Sequence, residues 1–176
     1  MLELAAHILD IAENSVRAGA KLVEISIIED EQRNLLSIEI NDDGSGMTEE
    51  EIKKVFDPFY TTKKVRRVGL GIPLLSDAAE RAGGQLLLHS VKGKGTKLKV
   101  TFELNHIDRQ PLGDVVGTLI ILIAGNADID FLITYRKNER EFEMDTRNIR
   151  KEIDDIPLNH PEILKYIRSV LEEGFF

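Results

Sequence analysis

Three polar residues and two nearby glycines suggest chemistry in this sequence. Asp42 ends an alternating apolar run, and Gly44 and Gly46 follow it, so its carboxylate can accept a hydrogen bond from an exocyclic amine while a flat base approaches the glycines. Asn14 offers one oxygen to Mg²⁺, an ion that keeps several waters and binds substrate phosphates. Asp10, one helical turn earlier, can position or deprotonate an attacking group. An ordinary Asp-Gly turn and a solvated helix face are the alternative interpretations.

A second glycine-rich stretch precedes a predicted helix. Gly69, Leu70 and Gly71 come just before this helix, and closely approaching N–H groups at a helix amino end favour phosphate. The stretch is not a dinucleotide-binding fingerprint, because Leu74 stands where the third glycine belongs, and the chain has no GK[ST] P-loop. We therefore expect a phosphate contact of another type.

Positive charge is concentrated just before these glycines. The segment Lys63–Arg67 holds four cations in five positions, although the net charge of the chain is −8 at pH 7. Such a loop either is mobile and solvated or covers an anion, which can be a phosphate, an acidic partner or both. Lys63 is the best single candidate for a phosphate contact.

Composition limits the classes of function. The 176 residues allow one sizeable domain, or a domain of about 100 residues with an appendage. The acidic balance argues against a nucleic-acid or membrane binder, and the lack of cysteine excludes disulfides and thiolate metal sites. The most apolar run, Val115 to Ala124, is too short to span a bilayer, and we predict a buried strand there. Without a secretory start, a cytoplasmic location is expected.

Hydrophobic periodicity places the candidate residues on an alternation of helices and strands. Asp10 and Asn14 lie on one face of a first helix, and Asp42 lies at the end of a hairpin. A capping-box pattern at Thr48 and Glu51 begins a short helix. A composition shift at 105–113 marks a boundary, so we predict domains at 1–104 and 105–176. The predicted helices are 1–18, 48–56, 72–82, 145–153 and 161–173, and the predicted strands are 22–28, 35–40, 86–91, 97–104, 115–124, 131–136 and 140–144.

Five motifs in this order resemble the histidine-kinase-like ATPase superfamily, which includes sensor kinase catalytic domains, gyrase B, the 90-kDa heat-shock chaperone and MutL. They are DxxEN, DDGSG, FDPFYTTK, GLGIPLL and GKGT, and they span residues 1–104. The resemblance implies a Bergerat-type ATP-binding fold. In this fold a two-layer α/β sandwich has a mixed sheet with helices on one face, here followed by a small C-terminal α/β appendage.

The resemblance also implies ligands and roles. Asn14 matches the asparagine that holds Mg²⁺, and Asp42 matches the aspartate that binds the adenine amino group of ATP, with Gly44 and Gly46 alongside. Asp10 stands where the gyrase and MutL branch has a glutamate general base, and this shorter acid can still orient water. The implied lid, phosphate-facing and GxGT residues are Lys63, Gly69, Leu70, Gly71 and Thr96.

The sequence departs from the sensor kinases at its start. Only nine residues precede Asp10, so we expect a stand-alone domain without the hairpin that carries the phosphoacceptor histidine. His7 is expected to line the site or face solvent rather than to accept phosphate. The preferred function is a regulatory protein kinase acting in trans on a histidine or serine of a partner protein. The alternative is an ATP-dependent switch or slow ATPase, and a homodimer is possible.

Overall fold

The computed structural model describes residues 3–57 and 71–176, and within these ranges the chain forms alternating helices and strands. The helices are α1 (Leu4–Arg17), α2 (Glu49–Val55), α3 (Gly71–Arg81), α4 (Val115–Gly125), α5 (Thr146–Ile153) and α6 (Pro161–Gly174). The strands are β1 (Leu22–Asp30), β2 (Leu35–Asp42), β3 (Gln85–Val91), β4 (Gly95–Glu103), β5 (Asp130–Lys137) and β6 (Arg140–Asp145).

All of these strands belong to one mixed sheet. Their order is β3-β4-β2-β1-β5-β6, and every neighbouring pair is antiparallel except β1 and β5, which run parallel. The register places Asp42 at the end of β2 directly opposite Thr96 on β4. Two residues that the sequence proposes for one site are therefore cross-strand neighbours.

The two faces of the sheet differ because side chains alternate along each strand. One face is apolar and packs against a helical layer in which α1 and α3 contact strands, while α4 contacts both α1 and α6. The opposite face carries charged pairs such as Lys97 and Glu39, whose Nζ and Oε1 atoms are 2.9 Å apart. The predicted two-layer α/β sandwich is thus confirmed. The buried core-facing residues of the four central strands are Val23, Ile25, Ile27, Leu36, Ile38, Ile40, Leu98, Val100, Phe102, Phe131, Ile133 and Tyr135.

One predicted element is wrong. The run from Val115 to Ala124 is not a strand, because it forms helix α4. The carboxylate of Asp114 caps this helix by accepting a hydrogen bond from the N–H group of Gly117 at 2.8 Å. Burial between α1 and α6 satisfies its apolar sides, so a sequence without helical periodicity is stable as a helix here.

The segment 105–176 continues the same sheet. Strand β5 pairs with β1 over eight residue positions, from Leu22 opposite Asp130 to Glu29 opposite Lys137. The segment therefore packs on the rest of the chain through this sheet. The division at 104/105 stays a prediction, and it does not coincide with a break in the sheet.

The C-terminal residues cover the outer strands. Phe175 stacks on Tyr135 with ring centroids 4.5 Å apart, and the Tyr135 hydroxyl donates to Glu29 at 2.7 Å. Burial, followed by this carboxylate, raises the pKa of the Tyr135 phenol. Arg140 lies over the Phe176 ring at 3.8 Å. No helix of the described chain is both long and apolar enough to cross a membrane.

Candidate functional site

A cavity of about 590 Å³ lies between the helical layer and the end of the sheet that carries Asp42. This volume falls within the range of small-molecule sites. Its wall is mainly apolar with a few polar groups, the usual composition of a pocket that both buries and orients a ligand. The described residues of the wall are Asp10, Ile11, Asn14, Ser15, Arg17, Ala18, Ile40, Asp42, Ser45, Met47, Val55, Gly71, Ile72, Leu88, Thr96 and Leu98.

Asp42 is fixed by two hydrogen bonds in this wall. Its Oδ2 atom accepts from the hydroxyl of Ser15 at 2.6 Å, and its Oδ1 atom accepts from the N–H group of Gly44 at 2.9 Å. The carboxylate therefore has a set orientation, and each oxygen keeps further lone pairs. This geometry suits an acceptor for an amine donor inside the cavity.

Asp43 has a different role from its neighbour. Its Oδ1 atom accepts from the N–H groups of Lys21 and Leu22 at 2.7 and 3.0 Å. Partial burial acts to raise the pKa of this carboxyl, but the hydrogen bonds from backbone N–H groups, together with the nearby Lys21 charge, outweigh it and the pKa is lowered. Asp43 thus secures the start of β1, while Asp42 faces the site.

The glycines after Asp42 make room for the protein's own chain. A Cβ atom at Gly44 would lie 2.9 Å from the carbonyl oxygen of Ala18. Gly46 has a φ of +63°, and a Cβ atom there would lie 2.0 Å from the carbonyl oxygen of Val91. The wall at this level consists of Ser45 and Met47 instead. Both glycines therefore act on the site indirectly, by letting the loop pass between α1 and the β3–β4 turn.

Thr96 belongs to a hydroxyl network opposite Asp42. Its Oγ1 atom lies 2.8 Å from the Oγ atom of Ser90, which also accepts from the N–H group of Met47 at 2.8 Å. Ser90 is buried, so these bonds fix both the hydroxyl and the loop above it. The predicted site residues Asp42 and Thr96 are thus brought together on one wall.

The first helix supplies the next wall. Asn14 and Asp10 lie one turn apart and both line the cavity. The Oδ1 atom of Asn14 accepts a hydrogen bond from the guanidinium of Arg17, which also lines the cavity. An amide oxygen of the wall is thus already in contact with a cationic group, and it fits as one ligand of Mg²⁺.

Asp10 reaches the amino end of α3. A Cβ atom at Gly71, the first residue of α3, would lie 1.7 Å from the Asp10 Oδ2 atom. The carboxylate occupies the place that a side chain at position 71 would take. Only glycine at this position lets Asp10 approach the helix end, where the positive end of the helix dipole also favours phosphate.

The remaining predicted residues do not appear in the described cavity wall. Lys63, Gly69 and Leu70, together with the cationic segment Lys63–Arg67, fall outside the described residues. The expectation that His7 lines the site or faces solvent is wrong, since its side chain is 2% exposed and its Nε2 atom lies 3.1 Å from Gln110 Oε1. Burial lowers the pKa of this imidazole, partly offset by the hydrogen bond.

Sequence reasoning missed Ser15 and Arg17. Ser15 is 4% exposed and follows Ile8, Ile11 and Ala12 on the buried side of α1. A polar residue on the buried face of a helix needs a hydrogen-bond partner, and that requirement was the available signal. Arg17 follows Asn14 at a spacing of three residues, so both side chains project from the same face.

Comparison with known proteins identifies the family of the chain. The sequence model described as "Histidine kinase-, DNA gyrase B-, and HSP90-like ATPase" matches residues 2–106. The chain is 34% identical over 93 residues to the sensor histidine kinase WalK of Bacillus subtilis, covering 50% of this chain and 15% of that protein. It is 26% identical over 110 residues to the sensor histidine kinase ZraS of Escherichia coli O157:H7, covering 62% and 24%. The chain thus spans less than a quarter of the length of these relatives.

Solved structures share the fold at low sequence identity. The MutL ATPase domain of Aquifex aeolicus, complexed with ADP, superimposes with a TM-score of 0.54 at 15% identity, covering 98% of this chain and 70% of that one. The N-terminal domain of a DNA repair protein gives a TM-score of 0.57 at 15% identity, covering 82% and 52%. The match of residues 2–106 spans more than half of the chain, which therefore belongs to the family of histidine kinase-, DNA gyrase B- and HSP90-like ATPases, as an ATP-binding domain related to the histidine kinases.

Proposed function

We propose that this chain binds Mg·ATP in the described cavity and acts as a regulatory protein kinase, transferring the γ-phosphoryl group to a histidine or serine of a partner protein. One observation carries the proposal: a single cavity holds a fixed carboxylate acceptor, an amide oxygen beside a cationic group, and a second carboxylate at a helix amino end. The similarity to sensor histidine kinases supports kinase chemistry over other uses of ATP.

The α1 helix sets the spacing of the proposed site. Asp42, held by Ser15, accepts the exocyclic amine of adenine, and Thr96 lies opposite on β4. A helix rises about 1.5 Å per residue, so Asp10 lies about 7.5 Å along the axis from Ser15. The base and the phosphates therefore contact different levels of one rigid helix, with Asn14 between them.

Mg²⁺ fits this site through the oxygen of Asn14. The ion supplies charge neutralisation of the triphosphate when it is bound. The guanidinium of Arg17, which contacts Asn14, adds positive charge to this wall of the cavity. The amino end of α3 adds N–H groups and a positive dipole, so positioning and electrostatic stabilisation act together.

Asp10 is the proposed catalytic residue. In transfer to serine, its carboxylate takes the hydroxyl proton as the oxygen attacks the γ-phosphorus, and the bond to the β–γ bridging oxygen breaks to release ADP. In transfer to histidine, the same carboxylate orients the attacking imidazole. His7 of this chain is buried against Gln110 and is not part of the described cavity wall, which supports an acceptor on another protein.

A second function is an ATP-dependent switch or slow ATPase that regulates a partner without phosphorylating it. The position of Asp10 favours this alternative. A carboxylate beside a helix amino end can orient a water molecule for attack on the phosphate, in place of the acceptor side chain of a partner protein. A cytoplasmic location and a protein partner are proposals that both functions share.

Radiolabelled ATP distinguishes the two functions. The protein is incubated with γ-³²P-ATP, Mg²⁺ and the proteins that co-purify with it, and a parallel sample carries Asp10→Asn. Label on a co-purified protein, lost with Asp10→Asn, is expected for the kinase, whereas free phosphate alone supports the ATPase. If neither ATP nor ADP raises the melting temperature in the presence of Mg²⁺, the nucleotide site itself is refuted.

A further inference from the structure

The two outer edges of the sheet are built very differently. Strand β3, Gln85–Val91, forms one end of the sheet and, among the described elements, has a strand neighbour only on its β4 side. Its sequence QLLLHSV contains no acidic or basic residue apart from one histidine, and no proline or glycine. Strand β6 at the other end, Arg140–Asp145, has the sequence REFEMD and is mostly charged. Charged residues, prolines and bulges are the usual means of blocking strand pairing at an edge, and β3 lacks them.

Strand β3 also exposes apolar side chains. Leu87 is 56% exposed and Val91 is 41% exposed on the open face of the sheet. Leu86 and Leu88 are half-buried on the opposite face, where they pack against the core, and Leu88 lines the nucleotide cavity. Within residues 3–57 and 71–176, no strand pairs with the outer side of β3, and an apolar edge strand of this kind is a template for another strand.

The three consecutive leucines make this edge complementary to itself. In an antiparallel pair, residues directly opposite each other point to the same face of the sheet. The odd-numbered residues of β3 face the open side and the even-numbered residues face the core, so odd positions must lie opposite odd positions and even positions opposite even positions. A two-fold axis at Leu87 places Leu87 opposite its own copy and Leu86 opposite Leu88. Every leucine then meets a leucine, and both the core face and the open face continue across the axis.

We propose that β3 pairs antiparallel with the β3 strand of a second copy of this chain, across a two-fold axis at Leu87. The pairing joins the two sheets into one. It uses up both apolar edges and leaves only the charged β6 edges outside, so the assembly closes as a dimer instead of extending. The proposal is independent of the reaction that the cavity carries out.

A single introduced cysteine tests the register, because the chain has no cysteine of its own. Opposite Cα atoms in an antiparallel pair lie about 4.5–5.5 Å apart, within the range of a disulfide. Leu87→Cys should form a covalent dimer under mild oxidation. The matched control is Gln85→Cys on the same face. In this register its two copies would lie about 14 Å apart, so this variant should stay monomeric. Equal cross-linking of both variants, or of neither, overturns the proposal.

Sedimentation of the intact protein tests the interface itself. Leu87→Lys places two like charges opposite each other and should raise the dimer dissociation constant by at least about tenfold. Ile121→Lys, at an exposed aliphatic position on α4, is the control and should leave this constant unchanged. A monomeric wild-type protein at every concentration, or a dimer broken by Ile121→Lys and not by Leu87→Lys, overturns the proposal. Should Leu87→Lys fail to fold, the cysteine pair still decides the question.

Discussion

Replacing Gly71 by alanine should displace the proposed catalytic carboxylate while leaving the fold intact. The new Cβ atom would lie 1.7 Å from the Asp10 Oδ2 atom, and an ordinary contact begins near 3.4 Å, so the carboxylate must move by about 1.7 Å. All three nearest atoms belong to the Asp10 side chain, which makes the clash one with a side chain and not with backbone. Gly71 is the first residue of helix α3, and alanine also adopts a helical conformation.

The size of the effect follows from this displacement. Misplacing a catalytic group by about 1 Å can cost about a hundredfold in rate, so we expect turnover of ATP to fall by about a hundredfold in Gly71→Ala. Alanine is a better helix former than glycine by up to about 1 kcal/mol, so the melting temperature should stay the same or rise. Activity and stability are thus expected to move in opposite directions.

The assay is single-turnover release or transfer of the labelled γ-phosphoryl group, with thermal unfolding and calorimetric ATP binding measured on the same samples. Gly125→Ala is the matched control, because no atom lies within 4 Å of a Cβ there. In an Asp10→Ala background, Gly71→Ala should have no further effect on turnover. The reasoning is refuted if Gly71→Ala turns over ATP within about twofold of the wild-type rate. It is also refuted if Gly71→Ala lowers turnover in the Asp10→Ala background by as much as it does in the wild-type background.

Three further outcomes are expected. Asp42→Asn should weaken ATP binding by about 10- to 100-fold in calorimetry, the value of a hydrogen bond to a charged group, whereas Asp43→Asn should lower the melting temperature at unchanged affinity. Because burial lowers the pKa of His7 in the folded protein, the unfolded chain binds a proton at this residue just below pH 6.5 and the folded chain does not. The unfolding free energy should therefore fall as the pH drops from 6.5 to the folded pKa, and it should fall less in His7→Gln. Phe175→Ala should reduce the unfolding free energy by about 2 kcal/mol in urea, since it removes the stack on Tyr135, and an unchanged midpoint would contradict this packing.

Local patterns predicted most of the sheet. Strands β1, β2 and β4 each carry three buried apolar residues at alternate positions, so their periodicity identifies both the element and its buried face. The capping box at Thr48 is also confirmed, because the Thr48 and Glu51 side chains each bond the other's backbone N–H group. These features depend on residues that are close in sequence.

The wrong prediction for α4 has a physical cause. The run from Val115 to Ala124 is apolar on every side and rich in β-branched residues, so neither periodicity nor propensity indicates a helix. The deciding factors are its burial between α1 and α6 and the cap at Asp114. Only the cap is visible in the sequence.

The candidate site could be predicted in part. Asp10, Asn14, Asp42 and Thr96 lie on one cavity, as the order of the motifs suggested. The hydrogen bond from Ser15 to Asp42 joins residues 27 positions apart, and its geometry depends on how α1 packs on β2. The roles of Gly44 and Gly46 likewise depend on chain segments that pass beside them, which one local motif does not reveal.

The parallel pairing of β1 with β5 affects how the chain folds during synthesis. The described residues of the cavity wall lie between Asp10 and Leu98, but β5, which pairs with β1, ends at Lys137. At about 5–20 residues per second, a ribosome needs a few seconds to add that distance. For that time β1 has an open edge on a nascent chain whose nucleotide site is already encoded. Binding of ATP to the ribosome-bound chain is therefore expected only after β5 has emerged, so the last part of the chain determines when the first part becomes functional.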